Sequence, residues 1–248
     1  MSAPIPRLEW KAVTKRFGGE PVLDGLNLSV EAGRSLVIIG GSGQGKSVML
    51  KLALGLLRPD AGTVLLDGKP LPGLAGRAQR RLYDRAGVLF QGAALFDSLT
   101  VWENVAFRLT NADGVSPAKA RIRALAALEQ VRLTDAVANL YPAELSGGMQ
   151  KRVALARAIV ADPDVLFFDE PTTGLDPVTA SAINALIVDQ VKRLGCTAVS
   201  ITHDLASARV IADDIAMLHA GAIVWRGRSE ELATTDNRQV RRFVDGGA

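Results

Sequence analysis

Apolar positions along the chain alternate between strand-like and helix-like spacing. Leu8 to Phe17 and Val22 to Val30 read as strands, separated by the turn sequence Gly18-Gly19-Glu20-Pro21. Ser35 to Ile39 is a short apolar run that ends at glycines, as a buried strand does. Lys46 to Leu57 has helical spacing, with Leu50, Leu54 and Leu57 on one face, and Arg58-Pro59-Asp60-Ala61-Gly62 breaks it. Thr63 to Asp67 and Ala86 to Gln91 follow as strands, and Val101 to about Ala161 is mostly helical. Val165 to Phe168 is another buried strand. Asp176-Pro177 supplies a helix cap and a first-turn proline for a helix running to about Leu194. Thr197 to Thr202 reads as a strand, Leu205 to Ala212 as a helix, and Ile215 to Trp225 as a hairpin turning at Ala220-Gly221. Short helices finish the chain.

This alternation predicts a mainly parallel α/β core, with the helix-rich middle as an inserted subdomain. Composition adds exclusions. The 248 residues are 48% hydrophobic and 22% charged, which fits a globular chain and excludes a disordered or collagen-like one. One cysteine, Cys196, excludes an internal disulfide framework and a Cys-rich zinc site. A net charge of +3 is too even to argue for nucleic acid. Met1 to Arg7 lacks the apolar core of a signal peptide, and no stretch approaches the ~20 apolar residues of a membrane span. The expectation is a soluble, cytoplasmic chain that meets a membrane only through a partner. The basic clusters Arg77–Arg85 and Arg238–Arg242 suit solvated helix faces, with contact to anionic lipid as the alternative.

The sharpest chemical signal is the octet Gly40-Gly41-Ser42-Gly43-Gln44-Gly45-Lys46-Ser47, a match to G-x-x-x-x-G-K-[ST] between a strand and a helix. The glycines let backbone N–H groups close on phosphate oxygens, and the helix N-terminus adds its positive dipole end. Lys46 would contact the outer phosphates of a nucleotide, and Ser47 would place its hydroxyl on Mg²⁺. The second signal is Val165-Leu166-Phe167-Phe168-Asp169-Glu170, an apolar strand with two acids at its carboxyl edge, where open α/β sheets bind ligands. Asp169 would hold Mg²⁺, and Glu170 would act as general base on the attacking water.

The third signal, Leu145-Ser146-Gly147-Gly148-Met149-Gln150, lies upstream of that strand. Ser146 and the glycines can open a helix whose free N–H groups hold a phosphate. Together the three resemble the ABC-transporter ATPase family over about Leu8 to Trp225. Met149 interrupts the usual signature as a common variant.

The resemblance implies a P-loop fold with a mainly parallel core sheet, an N-terminal antiparallel β-subdomain and an inserted helical subdomain. It implies a single ATPase domain, with its core over about 1–91 and 162–248 and the helical subdomain over about 92–161. It implies ATP and Mg²⁺ as cofactors, and two copies of the chain clamping two ATPs, with Ser146, Gly147 and Gly148 facing the partner's nucleotide.

Other residues match family positions by resemblance. Phe17 matches the aromatic that stacks on adenine, though it also suits a strand end. Gln91 matches the glutamine that touches Mg²⁺ and relays to a membrane partner. Gly174-Leu175-Asp176 matches the dimer-seam loop, although capping explains part of Asp176. His203 matches the histidine that senses the γ-phosphate, whereas His219 has no such context. Val48 replaces the hydroxyl residue often found after Ser47; its backbone N–H can still donate.

Phe90-Gln91-Gly92-Ala93-Ala94-Leu95-Phe96-Asp97-Ser98-Leu99-Thr100-Val101-Trp102-Glu103-Asn104-Val105 resembles the ATPases of Mla-type (maintenance of lipid asymmetry) phospholipid transporters, as does the ending Val240 to Gly246. This implies a multi-span permease, an MCE-domain lipid-binding protein and a STAS-domain regulator as partners, at the cytoplasmic face of the inner membrane. Ala93, Leu95, Phe96 and Trp102 would line the groove for a permease helix, or else pack the helical subdomain. An importer or exporter of another solute shares every catalytic residue. A non-transport machine acting on DNA fits poorly, because the interval from Lys46 to Leu145 holds no long heptad run.

Overall fold

The computed structural model describes residues 5–71 and 84–246. In chain order its strands are β1 (Leu8–Arg16), β2 (Pro21–Val30), β3 (Ser35–Ile39), β4 (Ala61–Leu66), β5 (Lys69–Pro70), β6 (Ala86–Leu89), β7 (Val165–Asp169), β8 (Thr197–Ile201), β9 (Asp214–His219) and β10 (Ala222–Arg228). Its helices are α1 (Lys46–Ala53), α2 (Val101–Asn111), α3 (Pro117–Gln130), α4 (Gly147–Ile159), α5 (Pro177–Leu194), α6 (Leu205–Ile211) and α7 (Arg238–Val244). Most of the basic cluster 77–85 lies outside the described residues. Among those described, no helix is long and apolar enough to cross a membrane. The chain divides into two compact units, Met1–Asp84 with Cys196–Ala248, and Arg85–Gly195.

In the first unit, β2-β1-β4-β5 form an antiparallel sheet. Its inward residues Leu8, Trp10 and Val13 oppose Val30, Leu28 and Leu26 across the ladder. The register shifts between Trp10 and Val13, where Ala12 has a φ of 49° and its N–H is taken by the Asn27 side chain at 2.9 Å. Four further strands run in the order β10-β9-β3-β8, with β3 parallel to both β8 and β9. All five residues of β3 and of β8 are buried, as strands covered on both faces require. The β9–β10 hairpin turns at Ala220-Gly221, with φ of 47° and 79°. Two positive φ values in a two-residue loop match the right-handed twist of the flanking strands.

Helix α1 stops at Ala53, short of the Leu57 that hydrophobic spacing predicts. Gly55 takes a φ of 65°, the Leu56 N–H reaches back to the Lys51 carbonyl at 2.8 Å, and the Gly55 N–H to Leu52 at 3.0 Å. That pair of bonds closes the helix at a left-handed glycine, and apolar period alone does not report it.

The second unit pairs β6 with β7 in parallel, Ala86 against Val165 through Leu89 against Phe168. Helix α2 opens on a capping box in which the Thr100 N–H donates to Glu103 at 2.8 Å. The Thr100 hydroxyl and backbone bonds hold the Glu103 carboxyl below its usual pKa. Helix α5 begins as expected: the Asp176 carboxylate accepts from the N–H groups of Val178 and Thr179, both at 3.0 Å, and Gly195 ends the helix at φ 59°. Helix α4 packs on β6, α2, α3 and α5. Its approach to β6 depends on Gly87, where a Cβ would collide with the Ala158 carbonyl oxygen. Backbone on both sides of that contact leaves no flexible side chain to yield. We expect Gly87→Ala to lower stability by about 1–3 kcal/mol, read as a lower urea midpoint at unchanged slope. A midpoint equal to wild type would refute the close approach.

Candidate functional site

The first unit contains the phosphate loop. Gly40 follows the buried end of β3, and a Cβ there would strike the Leu218 carbonyl oxygen on β9. Gly43 and Gly45 have φ of 76° and 100°, backbone open to glycine without strain. The loop therefore wraps tightly, and the Lys46 ammonium lies inside it, donating to the carbonyls of Gly40 at 2.7 Å and Gly41 at 2.9 Å. Ser42 and Ser47 are exposed, while Gly41, Gln44 and Val48 are half-buried. The Gln44 side chain accepts from the Ala220 N–H at 2.7 Å, so the hairpin turn braces the loop.

His203 lies two residues beyond β8. Ile201 is in register with Ile38, and the Thr202 N–H bonds the Ile38 carbonyl at 3.1 Å. The exposed His203 thus emerges at the same carboxyl edge as the phosphate loop. Asp204 next to it caps α6 through the N–H groups of Ala206 and Ser207. Phe17 follows β1 and is 55% exposed, with the Lys15 ammonium 5.4 Å from its ring centre. Exposure of that size places the ring outside the core.

The second unit contains Gln91, the signature helix and the two acids. Asp169 ends β7, and Glu170 follows it in the left-handed region at φ 48°. A left-handed L-residue is disfavoured by roughly 1–2 kcal/mol, so its surroundings must hold it there. The Thr173 hydroxyl donates to its carboxylate at 3.0 Å. Ser146 caps α4, accepting from the Met149 N–H at 3.3 Å. A Cβ at Gly148 would crowd the Thr179 methyl, so this glycine keeps the helix start close to α5. Between them lies a cleft of about 440 Å³ lined by Ser146, Gly147, Gly148, Met149, Arg152 and the loop Gly174-Leu175-Asp176.

Sequence reasoning missed the residues that hold these pieces. Lys151 is only 5% exposed; its ammonium donates to the Gln91 carbonyl and, at 3.5 Å, to the Glu170 carbonyl. Burial lowers its pKa, and the charges of Asp169 and Glu170 oppose that shift. Gln91, Asp169 and Glu170 are thereby gathered around one cation. Arg157 donates to the carbonyls of Ala93 and Ala94, both at 2.6 Å, and burial lowers its pKa as well. Asn104 is fully buried; its side chain accepts from the Phe96 N–H and donates to the carbonyls of Phe96, Leu99 and Thr100. For Arg157 the available signal was a charge within the apolar run Val153 to Ile159, because a buried charge needs a partner. Ala93 is 2% exposed, so its side chain packs inward and offers nothing to a docking groove, whereas Phe96 is 43% exposed.

Within each unit the side chains present are of the kind that a nucleotide or a hard cation takes. Ser47, Gln91 and Asp169 offer oxygen donors. Among the described residues no group of three or more His, Cys, Asp or Glu could hold a metal alone. A magnesium ion typically draws the rest of its shell from phosphate and water, which suits such a sparse set.

Comparison with known proteins agrees. A family model described as ABC transporter matches residues 23–173. The intermembrane phospholipid transport system ATP-binding protein MlaF of Haemophilus influenzae is 38% identical over 239 residues, covering 96% of this chain and 90% of that protein. The methionine import ATP-binding protein MetN of Caulobacter vibrioides is 43% identical over 240 residues, covering 96% and 72%. The chain spans about two thirds of the length of several other curated relatives. A dimeric, post-hydrolysis structure of the ATP-binding cassette MJ0796 bound to ADP and Pi superimposes with a TM-score of 0.81 at 32% identity, covering 90% of this chain and 98% of that one. With the family model running across more than half of its length, the chain belongs to the ABC transporter family, as an ATP-binding domain with ATPase activity.

Proposed function

We propose that this chain is the ATPase subunit of a transporter that moves phospholipid between the inner and outer bacterial membranes. The observation that carries the lipid assignment is the segment Phe90 to Val105, which resembles Mla-type ATPases, together with 38% identity to an intermembrane phospholipid ATPase. Its fold supports a docking role. Asn104 fixes the backbone, Phe96 and Phe107 stack with ring centres 4.4 Å apart, and both remain more than a third exposed. An apolar permease helix would cover them. Identity of 43% to a methionine importer keeps solute import as the second reading.

In this reading Lys46 and the backbone N–H groups from Gly41 to Val48 bind the phosphates, and Phe17 stacks on the base. Ser47, Gln91 and Asp169 hold Mg²⁺, which when bound neutralises charge on the phosphate oxygens. Glu170 accepts the proton of the attacking water, and His203 contacts the terminal phosphate. Ser146, Gly147 and Gly148 present N–H groups to the nucleotide of a second copy, and their open polar cleft supports this. The proposed assembly is a dimer with a multi-span permease, an MCE-domain lipid-binding protein and a STAS-domain regulator, at the cytoplasmic face of the inner membrane and without nucleic acid.

Loss of the Lys46 ammonium in Lys46→Ala removes charge-assisted bonds worth about 1.5–3 kcal/mol. ATP affinity should therefore fall by roughly 10- to 100-fold in calorimetry; unchanged affinity refutes the contact. Glu170→Gln should bind ATP normally, accumulate as a dimer and turn over about 10²–10⁴-fold more slowly; wild-type turnover in the assembled complex refutes the general base. Purification of the complex from native membranes in mild detergent, with mass spectrometry of protein and lipid, tests the substrate. A permease with an MCE-domain protein and phospholipid is expected. A permease with a solute-binding protein and no lipid carrier would establish import instead.

A further inference from the structure

Helix α4 carries two inward cations that the family motifs leave without a role. Lys151 donates to the Gln91 carbonyl and Arg157 to those of Ala93 and Ala94. The anchored stretch is an unusual one. Ala93 and Ala94 have φ of 60° and 49°, two consecutive left-handed residues with side chains. Alanine does not hold that region unaided. The turn's own bonds, Ala93 N–H to Phe90 and Ala94 N–H to Gly92, leave the carbonyls of Ala93 and Ala94 for outside donors. A planar guanidinium offers a rigid fork of donors that can hold two adjacent carbonyls at once.

The same 13-residue helix begins at Gly147, capped by Ser146. One rod of about 20 Å therefore carries the signature at its first turn. Lys151 then ties it to Gln91 and Glu170, and Arg157 ties its last turn to Ala93 and Ala94. We infer that Lys151 and Arg157 are positioning residues that make α4 a rigid link, so that a shift of the signature end on nucleotide binding is carried to the backbone of residues 91–94. This rests on the proposed roles of Gln91, Glu170 and the signature in the reaction.

The test uses the full chain in its membrane complex and, in parallel, hydrogen–deuterium exchange. Arg157→Met should lower kcat about ten-fold while leaving the ATP KM within about two-fold. It should also raise exchange in peptides covering Gln91 to Phe96 without changing those of the phosphate loop. Arg157→Lys should recover part of kcat, and Lys151→Arg should recover more than Lys151→Met. Unchanged kcat in Arg157→Met overturns the proposal. So does a joint loss of kcat and KM with a general rise in exchange, which marks a merely structural role. If Arg157→Met does not fold, Arg157→Lys is judged by the same criteria. Glu170→Gln measured alongside separates the two levels. Full turnover of that variant removes the catalytic reading, whereas the localised exchange result judges the clamp by itself.

Discussion

The second unit is organised around a positive charge that has been taken out of water. Lys151 is buried on the inner side of α4, and its ammonium must find oxygen atoms. It finds them on the main chain after β6 and after β7, with two carboxylates close by. Removing a partner from a buried charge costs far more than the pair gains in the first place. Each of these loops is therefore held by the desolvation cost of letting go. That explains how a backbone as strained as Glu170, at φ 48°, can persist next to Asp169.

The first unit also holds a buried ammonium, that of Lys46. Its lysine sits inside a ring of its own loop's carbonyls, and the loop is held from outside by backbone contacts to β9 and the hairpin turn. Glycines serve two separate purposes here. Gly43 and Gly45 relieve backbone strain, while Gly40 makes room for the neighbouring strand's carbonyl.

What could be deduced from sequence follows the range of the interaction. The Asp176-Pro177 cap, the Ala220-Gly221 turn and the phosphate-loop octet are local, and each was visible in a few adjacent residues. The end of α1 was misjudged because Leu57 kept the apolar spacing while Gly55 decided the geometry. Apart from the Glu170 carbonyl, 19 residues from Lys151, the partners of Lys151 and Arg157 lie 60 to 64 residues away in sequence, beyond any short window along the chain. The left-handed pair Ala93-Ala94 was invisible for a further reason, since alanine has no propensity for it. Its cause is tertiary, and so is the burial of the Ala93 side chain, which decides for packing in the helical subdomain over lining a groove.

The brace between Gln44 and Ala220 also has a bearing on stability. Because the hairpin supports the loop, a nucleotide held by the loop in turn supports the hairpin. At a hundred times its dissociation constant a ligand adds about 2.7 kcal/mol to the folded state. Strands β9 and β10 thus share in that gain although neither belongs to the phosphate-binding motif. Loss of nucleotide therefore lowers the stability of β9 and β10 together with that of the loop they brace.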